Sequence, residues 1–174
     1  MDGALLDPFR HHVWATRTLL EFCRSLPGEQ LTGATAAGGY STILETFHHV
    51  VMADARYLRR LRGEGPAWLE DSGMDPGDVD PDSLSLDELL AHAGDAAQLW
   101  EEFLAEPFDP ERILLLDQGT FACPAGVIVA QALHHGSVHR EQVCAILSGL
   151  GVEPPDLQPW AYAADTGRAR TLES

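Results

Sequence analysis

Two histidines near the end of the chain lie four residues apart, at His135 and His139 in the sequence HHGSVHREQ. On a helix, this spacing places both imidazoles on one face, a single turn apart, where they can bind the same metal ion. No Glu follows the first of the two, so the segment lacks the signature of a zinc protease helix. A metal site of this kind also needs a third ligand from another element.

The third ligand has to come from the other histidines of the chain. The second predicted helix offers the adjacent His48 and His49, and its apolar stripe lies nearer to His48. Periodicity therefore favours His48 without excluding His49. We expect His11 and His12 to lie on the solvated side of the first helix, and we expect no metal ligand at His92 in the third.

Apolar periodicity, caps and helix breakers predict four long helices that would position these residues. Their predicted bounds are Phe9–Leu26, Thr42–Arg62, Ser85–Glu106 with Ser85 as cap, and from Pro124 to Gly149 or Gly151. Asp7 and Pro8 are the expected N-cap and first-turn proline of the first helix, and Ser41 is the expected cap of the second. Ser85 and Glu88 have the spacing of a capping box.

The connections between these helices differ in length. Residues 63–85 are rich in Gly, Pro and Asp and lack the spacing of a calcium-binding EF-hand loop, so we expect a long, solvated acidic connection. A turn at 117–119 predicts a short hairpin or extended segment before the last helix, and the proline-broken tail has room for a short helix. The predicted fold is all-α, an antiparallel four-helix bundle with a long crossover, in a single domain over residues 1–174.

The composition excludes several classes of partner. Lys and Arg total 11 against 27 Asp and Glu, so the formal net charge is −16. Such a surface repels phosphate backbones and anionic membranes, so we predict neither nucleic acid nor membrane as a partner. The chain start lacks the pattern of a leader peptide, and three widely spaced cysteines form no disulfide framework. We therefore predict a cytoplasmic protein.

The last predicted helix and the tail resemble the DinB/YfiT-like family, whose motif there is HxxxHRxQ followed by LG, PPD and W-Y. The matching positions are His135, His139, Arg140, Gln142, Leu150-Gly151, Pro154-Pro155-Asp156 and Trp160-Ala161-Tyr162. The second helix resembles the same family at His49, Asp54, Tyr57 and Leu58. The resemblance covers nearly the whole chain, with one departure: many members carry a further His where this chain has Gln131.

The resemblance implies a four-helix bundle in which His49, His135 and His139 hold one divalent transition metal: zinc, nickel or iron. It favours His49 over His48, which remains the reserve. Three His ligands leave a coordination position open, as in catalytic sites. The implied function is metal-dependent hydrolysis of a small molecule, or transfer of a low-molecular-weight thiol to an electrophile. The alternative is a metal-binding or stress-response protein without catalysis.

Further roles remain open at this stage, and no catalytic residue is predicted. We expect Asp54 or Glu45 to orient one of the ligand imidazoles without itself binding the metal ion. Arg140 is expected to pair with a carboxylate of the protein or of a substrate, and Glu141 to be solvated. Apolar residues left on the first helix and the tail around Trp160 would suit a homodimer, the commonest assembly.

Overall fold

The computed structural model describes residues 5–35, 41–71 and 85–171. These ranges are mostly helical and include a small two-stranded antiparallel sheet. The long helices are α1 (Leu6–Cys23), α3 (Ile43–Arg62), α5 (Leu86–Ala105) and α6 (Ala125–Gly149). The short elements are α2 (Gly28–Gly33), α4 (Ala67–Asp71), α7 (Pro159–Asp165), β1 (Ile113–Leu116) and β2 (Phe121–Pro124).

Helix α3 begins at Ile43, one residue later than the predicted start at Thr42. The Thr42 side chain accepts a hydrogen bond from the Glu45 N–H, and the Glu45 carboxylate accepts one from the Thr42 N–H at 2.6 Å. The expected cap at Ser41 was therefore wrong, because Thr42 is the N-cap and its reciprocal capping box satisfies the backbone N–H groups of Thr42 and Glu45. The helix ends at Gly63, whose φ of 88° lies in the left-handed region that glycine adopts without steric cost.

Helix α1 begins earlier than predicted. Leu5 occupies its N-cap position without a side-chain hydrogen bond, and Asp7 and Pro8 lie inside the first turn. The expected cap at Asp7 was wrong, and the Asp7 carboxylate instead pairs with Arg168 at 2.7 Å. The predicted capping box of Ser85 and Glu88 at the start of α5 is confirmed.

The predicted hairpin before the last helix is confirmed. Strands β1 and β2 pair antiparallel, from Ile113 opposite Pro124 to Leu116 opposite Phe121. The turn between them has positive φ at Asp117, Gln118 and Gly119. Helix α4 lies in the predicted acidic connection, and helix α2 lies between the first two predicted helices, where no element was predicted. Residues 36–40 and most of the predicted acidic connection, 72–84, lie outside the described residues.

The long helices pack α3 against α5 and α6, and α1 against the same two helices. They bury two apolar clusters, and each cluster draws on all four long helices. Leu19, Phe47 and Leu147 belong to one cluster, and Phe9 and Leu58 to the other. Within the described ranges, no helix combines the length and the apolarity that crossing a bilayer requires.

Candidate metal centre

The three histidines of the proposed ligand set come together between α3 and α6. Each of His49, His135 and His139 offers a ring nitrogen, and these nitrogens all lie within 4.8 Å of one another. The ring centroids are 4.8 Å apart for His49 and His135, 4.6 Å for His49 and His139, and 4.3 Å for His135 and His139. His49 is exposed and the other two are half-buried, so the cluster lies at the border between core and solvent.

The closest contact in this cluster joins Nε2 of His49 to Nε2 of His135 at 2.8 Å. Two imidazole nitrogens at this distance share one hydrogen, with one ring donating and the other accepting. Tetrahedral coordination with bonds of about 2.1 Å would set such nitrogens about 3.4 Å apart. The three residues would fit a metal ion if the His49 and His135 nitrogens moved apart by about 0.6 Å and the wider spacings in the set, which reach up to 4.8 Å, contracted toward the same value.

Gln142 orients the third imidazole. Its Oε1 lies 2.6 Å from Nδ1 of His139, and because an amide oxygen only accepts, the ring hydrogen is on Nδ1. The Nε2 lone pair of His139 is then free, which is the usual arrangement of a metal-binding histidine. Sequence reasoning noted Gln142 only as a motif residue. The signal for its role was its position three residues after His139 on the same helix.

Burial, together with the neighbouring His139 and His49, lowers the pKa of His135 to about 4. The pKa of His49 is also lowered, first by burial and then by His139. Both rings are consequently uncharged at neutral pH. An uncharged imidazole is the form that binds a metal ion, so neither ring has to release a net proton, although the ring that donates in the Nε2–Nε2 contact has to carry its hydrogen on Nδ1 instead.

His48, the reserve candidate, lies outside the cluster. It is buried, and its Nε2 has no hydrogen-bond partner in the described part of the chain. Burial lowers its pKa as well. Periodicity favoured His48 because this residue lies nearer the apolar stripe, and that same position carries its ring into the interior rather than toward His135 and His139.

The expectation that the two histidines of α1 face solvent was wrong. His12 is only 4% exposed, and His11 is half-buried, with its Nε2 donating to the carbonyl oxygen of Leu157 at 2.7 Å. The cause is that α6, α7 and the segment before α7 cover this side of α1 through polar contacts, which apolar periodicity does not register. His92 stacks on Trp68, with centroids 4.2 Å apart.

Asp54 and Glu45 were the two carboxylates expected to orient a ligand imidazole. Neither forms a hydrogen bond with His49, His135 or His139. The Glu45 carboxylate is occupied in the helix cap. Asp54 accepts a hydrogen bond from Nε1 of Trp100 at 3.0 Å, and its other oxygen lies 3.3 Å from Nε2 of His12. Asp54 acts on the cluster through its charge, which opposes the lowering of the His135 pKa.

Arg140 is buried beside these residues, at 6% exposure. Its Nη1 donates to Oγ1 of Thr16 at 3.0 Å and to Nδ1 of His12 at 3.3 Å. The ring hydrogen of His12 therefore lies on Nε2, the atom nearest Asp54. We call Arg140, Thr16, His12, Asp54 and Trp100 the interior polar network. It joins all four long helices, and it supplies hydrogen-bond partners to Nη1 of the buried Arg140. Glu141, by contrast, is exposed, as expected.

Gly136, inside the HHGSVH sequence, allows this network to form. A Cβ at this position would lie 2.3 Å from Cε1 of His12 and 3.0 Å from Nη1 of Arg140. Any other residue would have to displace the His12 ring or move α1 away from α6. Gly136 thus allows the close approach of His12 and Arg140, while His135 and His139 themselves face His49 on α3.

Tyr57 and Gln131 lie next to the cluster. The Tyr57 ring meets His135 edge-on, with centroids 5.6 Å apart, and Nε2 of Gln131 donates to the Tyr57 hydroxyl oxygen at 3.4 Å. The hydrogen of that hydroxyl is left to donate elsewhere. Gln131, the position at which the chain departs from many DinB-like sequences, therefore supports Tyr57 beside the candidate ligands.

Comparison with known proteins places these features in a family. Among curated proteins, no sequence matches the chain. The model of the DinB family matches residues 1–169, a span that includes all three clustered histidines and the interior polar network. The chain belongs to the DinB family.

Proposed function

We propose that this chain is a metal-dependent enzyme in which His49, His135 and His139 hold one divalent transition metal with a coordination position left open. The observation that carries the proposal is the convergence of three ring nitrogens from two helices at the edge of the core. Imidazole suits zinc, nickel and iron, and three protein ligands, unlike the four of structural zinc, leave room for a reactant.

We also propose that the long helices form an antiparallel bundle with a long crossover. One apolar cluster contains Leu19, late in α1, and Phe47, early in α3. The other contains Phe9, early in α1, and Leu58, late in α3. This pairing of opposite ends supports opposite directions for α1 and α3, which lets α6 and α3 present their histidines to each other.

When bound, the metal ion acts as a Lewis acid that lowers the pKa of a water or thiol at the open position. The protein's part is to supply uncharged imidazoles, to hold the ring of His139 through Gln142, and to exclude part of the solvent. Attack by water would hydrolyse a small ester or amide. Attack by a low-molecular-weight thiol would form a carbon–sulfur bond as the leaving group departs with its electron pair and the thiol proton passes to solvent.

Tyr57 is the side chain we assign to the substrate side. Its hydroxyl hydrogen is available, and its ring contacts His135. In this position it can donate a hydrogen bond to a substrate oxygen. Tyr57→Phe should raise KM or lower kcat without reducing the metal content, which separates this role from one in metal binding.

The activity is tested by comparing metal-loaded with metal-depleted protein. Two assays apply: hydrolysis of p-nitrophenyl acetate, and reaction of a thiol panel with chlorodinitrobenzene. We expect a rate above the metal-depleted background in one of them, lost in His135→Ala and kept in His134→Ala. His134 is the matched control because it is an exposed neighbour on the same helix. Bound metal with no rate in either assay would instead favour the non-catalytic metal-binding protein.

A further inference from the structure

A cavity of about 630 Å³ lies between α1, α6 and α7. Leu133, Ser137 and Arg140 form its wall on α6. At about 100° per residue, Ser137 projects roughly 200° around the helix from His135, so the cavity lies on the other side of α6 from the three histidines. Its volume falls within the range of about 300–1,000 Å³ that small-molecule sites occupy.

Arg140 supplies a buried cation to this cavity. Only its Nη1 is engaged by Thr16 and His12; in the described ranges, Nε and Nη2 make no hydrogen bond. Arg140 is also part of the cavity wall, and Nε and Nη2 are its donors that no other described group engages. Two adjacent N–H groups on a planar guanidinium match the two oxygens of a carboxylate.

The charge around the cavity leaves Arg140 without an acidic partner there. The acidic side chain of the wall is Asp7, and it pairs with Arg168 at 2.7 Å across the rim. Ser137 adds a hydroxyl one turn before Arg140. The polar end of the cavity thus presents the unused donors of a guanidinium, and the carboxylates that act on its charge, Asp54 and Glu141, are not part of the cavity wall, which favours an anion as ligand.

The opposite wall is aromatic. Tyr162 is buried and anchors α7, while Trp160 on the same helix lines the cavity and is 80% exposed. Helix α7 is tied to α1 by the hydrogen bond from Nε1 of Trp14 to Asp165 at 2.8 Å. The backbone that carries Trp160 is thus fixed relative to α1, and its indole lines the cavity with most of its surface uncovered. A flat apolar body in the cavity would cover part of that surface.

We propose that this cavity binds a small aromatic carboxylate. Its carboxylate accepts hydrogen bonds from Arg140 and Ser137, and its ring packs against Trp160, Tyr162 and Leu133. This second site is distinct from the candidate metal centre and does not depend on it. It gives the chain a binding function for an organic anion, as substrate or effector, on the side of α6 remote from the histidines.

The test is calorimetric titration of benzoate, phenylacetate and indole-3-acetate, each with its matched amide, into metal-depleted His135→Ala protein and into the natural protein. We expect saturable binding of at least one carboxylate, one per chain, about 10-fold or more tighter than its amide because the charge-assisted contact is lost. His135→Ala should bind as the natural protein does. Weaker binding in His135→Ala would place the ligand at the histidines and overturn the proposal.

Two cavity variants complete the test. Trp160→Ala should weaken binding about 5-fold or more without unfolding the protein, since this side chain is largely exposed, and Ser137→Trp should abolish binding by filling the cavity. Val138→Ala, an exposed apolar position on α6, is the control and should leave binding unchanged. Equal binding of acid and amide, no effect of the cavity variants, or no binding by any of the three acids up to millimolar concentration would each overturn the proposal.

Discussion

Helix α6 contributes to two polar regions, the interior polar network and the three clustered histidines, and the two differ in burial and in the groups that they contact. The side chains of the interior polar network are mostly buried. Contacts from Arg140 to His12, from His12 to Asp54 and from Asp54 to Trp100 connect α6 to α1, α1 to α3 and α3 to α5. The three clustered histidines lie at the surface border and contact mainly one another. Groups that contact one another across the helices hold the helices together, whereas ring nitrogens that converge at the border of the core are available to a ligand.

Removing the cation of the interior polar network should have the largest effect on stability. Arg140→Met leaves the Asp54 carboxylate without its nearby positive charge and should lower the free energy of unfolding by about 3–5 kcal/mol. Urea denaturation of metal-depleted protein measures this loss. A loss below about 1 kcal/mol would mean that the network contributes little, and the contrast with the histidine cluster would disappear.

A single added methyl group should disturb the same network less severely. Gly136→Ala puts a Cβ against the ring of His12 and should cost about 1–3 kcal/mol through overpacking. Gly149→Ala is the matched control, because no atom lies within 4 Å of its added Cβ, and it should be neutral or stabilising by up to about 1 kcal/mol. Equal effects at the two glycines would contradict a special packing role for Gly136.

For the three clustered histidines, the expected loss is in metal affinity rather than in the free energy of unfolding. Gln142→Ala frees the His139 ring to rotate and should weaken zinc binding about 10–100-fold, with little change in the unfolding of metal-depleted protein. A competition titration with a chelator measures the affinity. Glu141→Ala changes an exposed neighbour and serves as control. Unchanged affinity in Gln142→Ala would remove the orienting role assigned to Gln142.

The smallest effect concerns pH. Burial lowers the pKa of His11 in the folded protein below the ordinary value of 6.5, so the unfolded chain binds a proton more readily. The stability contributed by uncharged His11 is complete above pH 6.5 and is lost as the pH falls through the folded pKa. His11→Gln should therefore lose less stability than the natural protein between pH 7.5 and pH 5, measured by urea denaturation. An identical pH dependence would show that His11 is not the group responsible.

How much of these two regions can be predicted from the sequence depends on which structural feature each sequence pattern reports. Periodicity, capping residues and the glycine stops predicted the long helices and the hairpin to within a few residues. Helices α2 and α4 were missed because six and five residues are too few to show a helical period. The choice of His49 came from the family resemblance, since periodicity pointed to His48.

The interior polar network was not predicted, for a physical reason. Apolar periodicity assigns polar residues to solvent, yet His12 and Arg140 are buried because each supplies the other with a hydrogen-bond partner. Such pairing joins residues more than a hundred positions apart and leaves no local signature. The cavity beside Arg140 likewise depends on how the tail folds back onto α1, which sequence spacing does not encode.

The central claim is that the three clustered histidines hold a metal ion, and metal content tests it most directly. Elemental analysis of protein purified without an affinity tag should find close to one divalent transition metal per chain. His135→Ala should reduce that content to trace level, while His134→Ala should leave it unchanged. A His135→Ala protein that retains the full metal content, or a natural protein that binds no zinc, nickel or iron when each is supplied, would contradict the account.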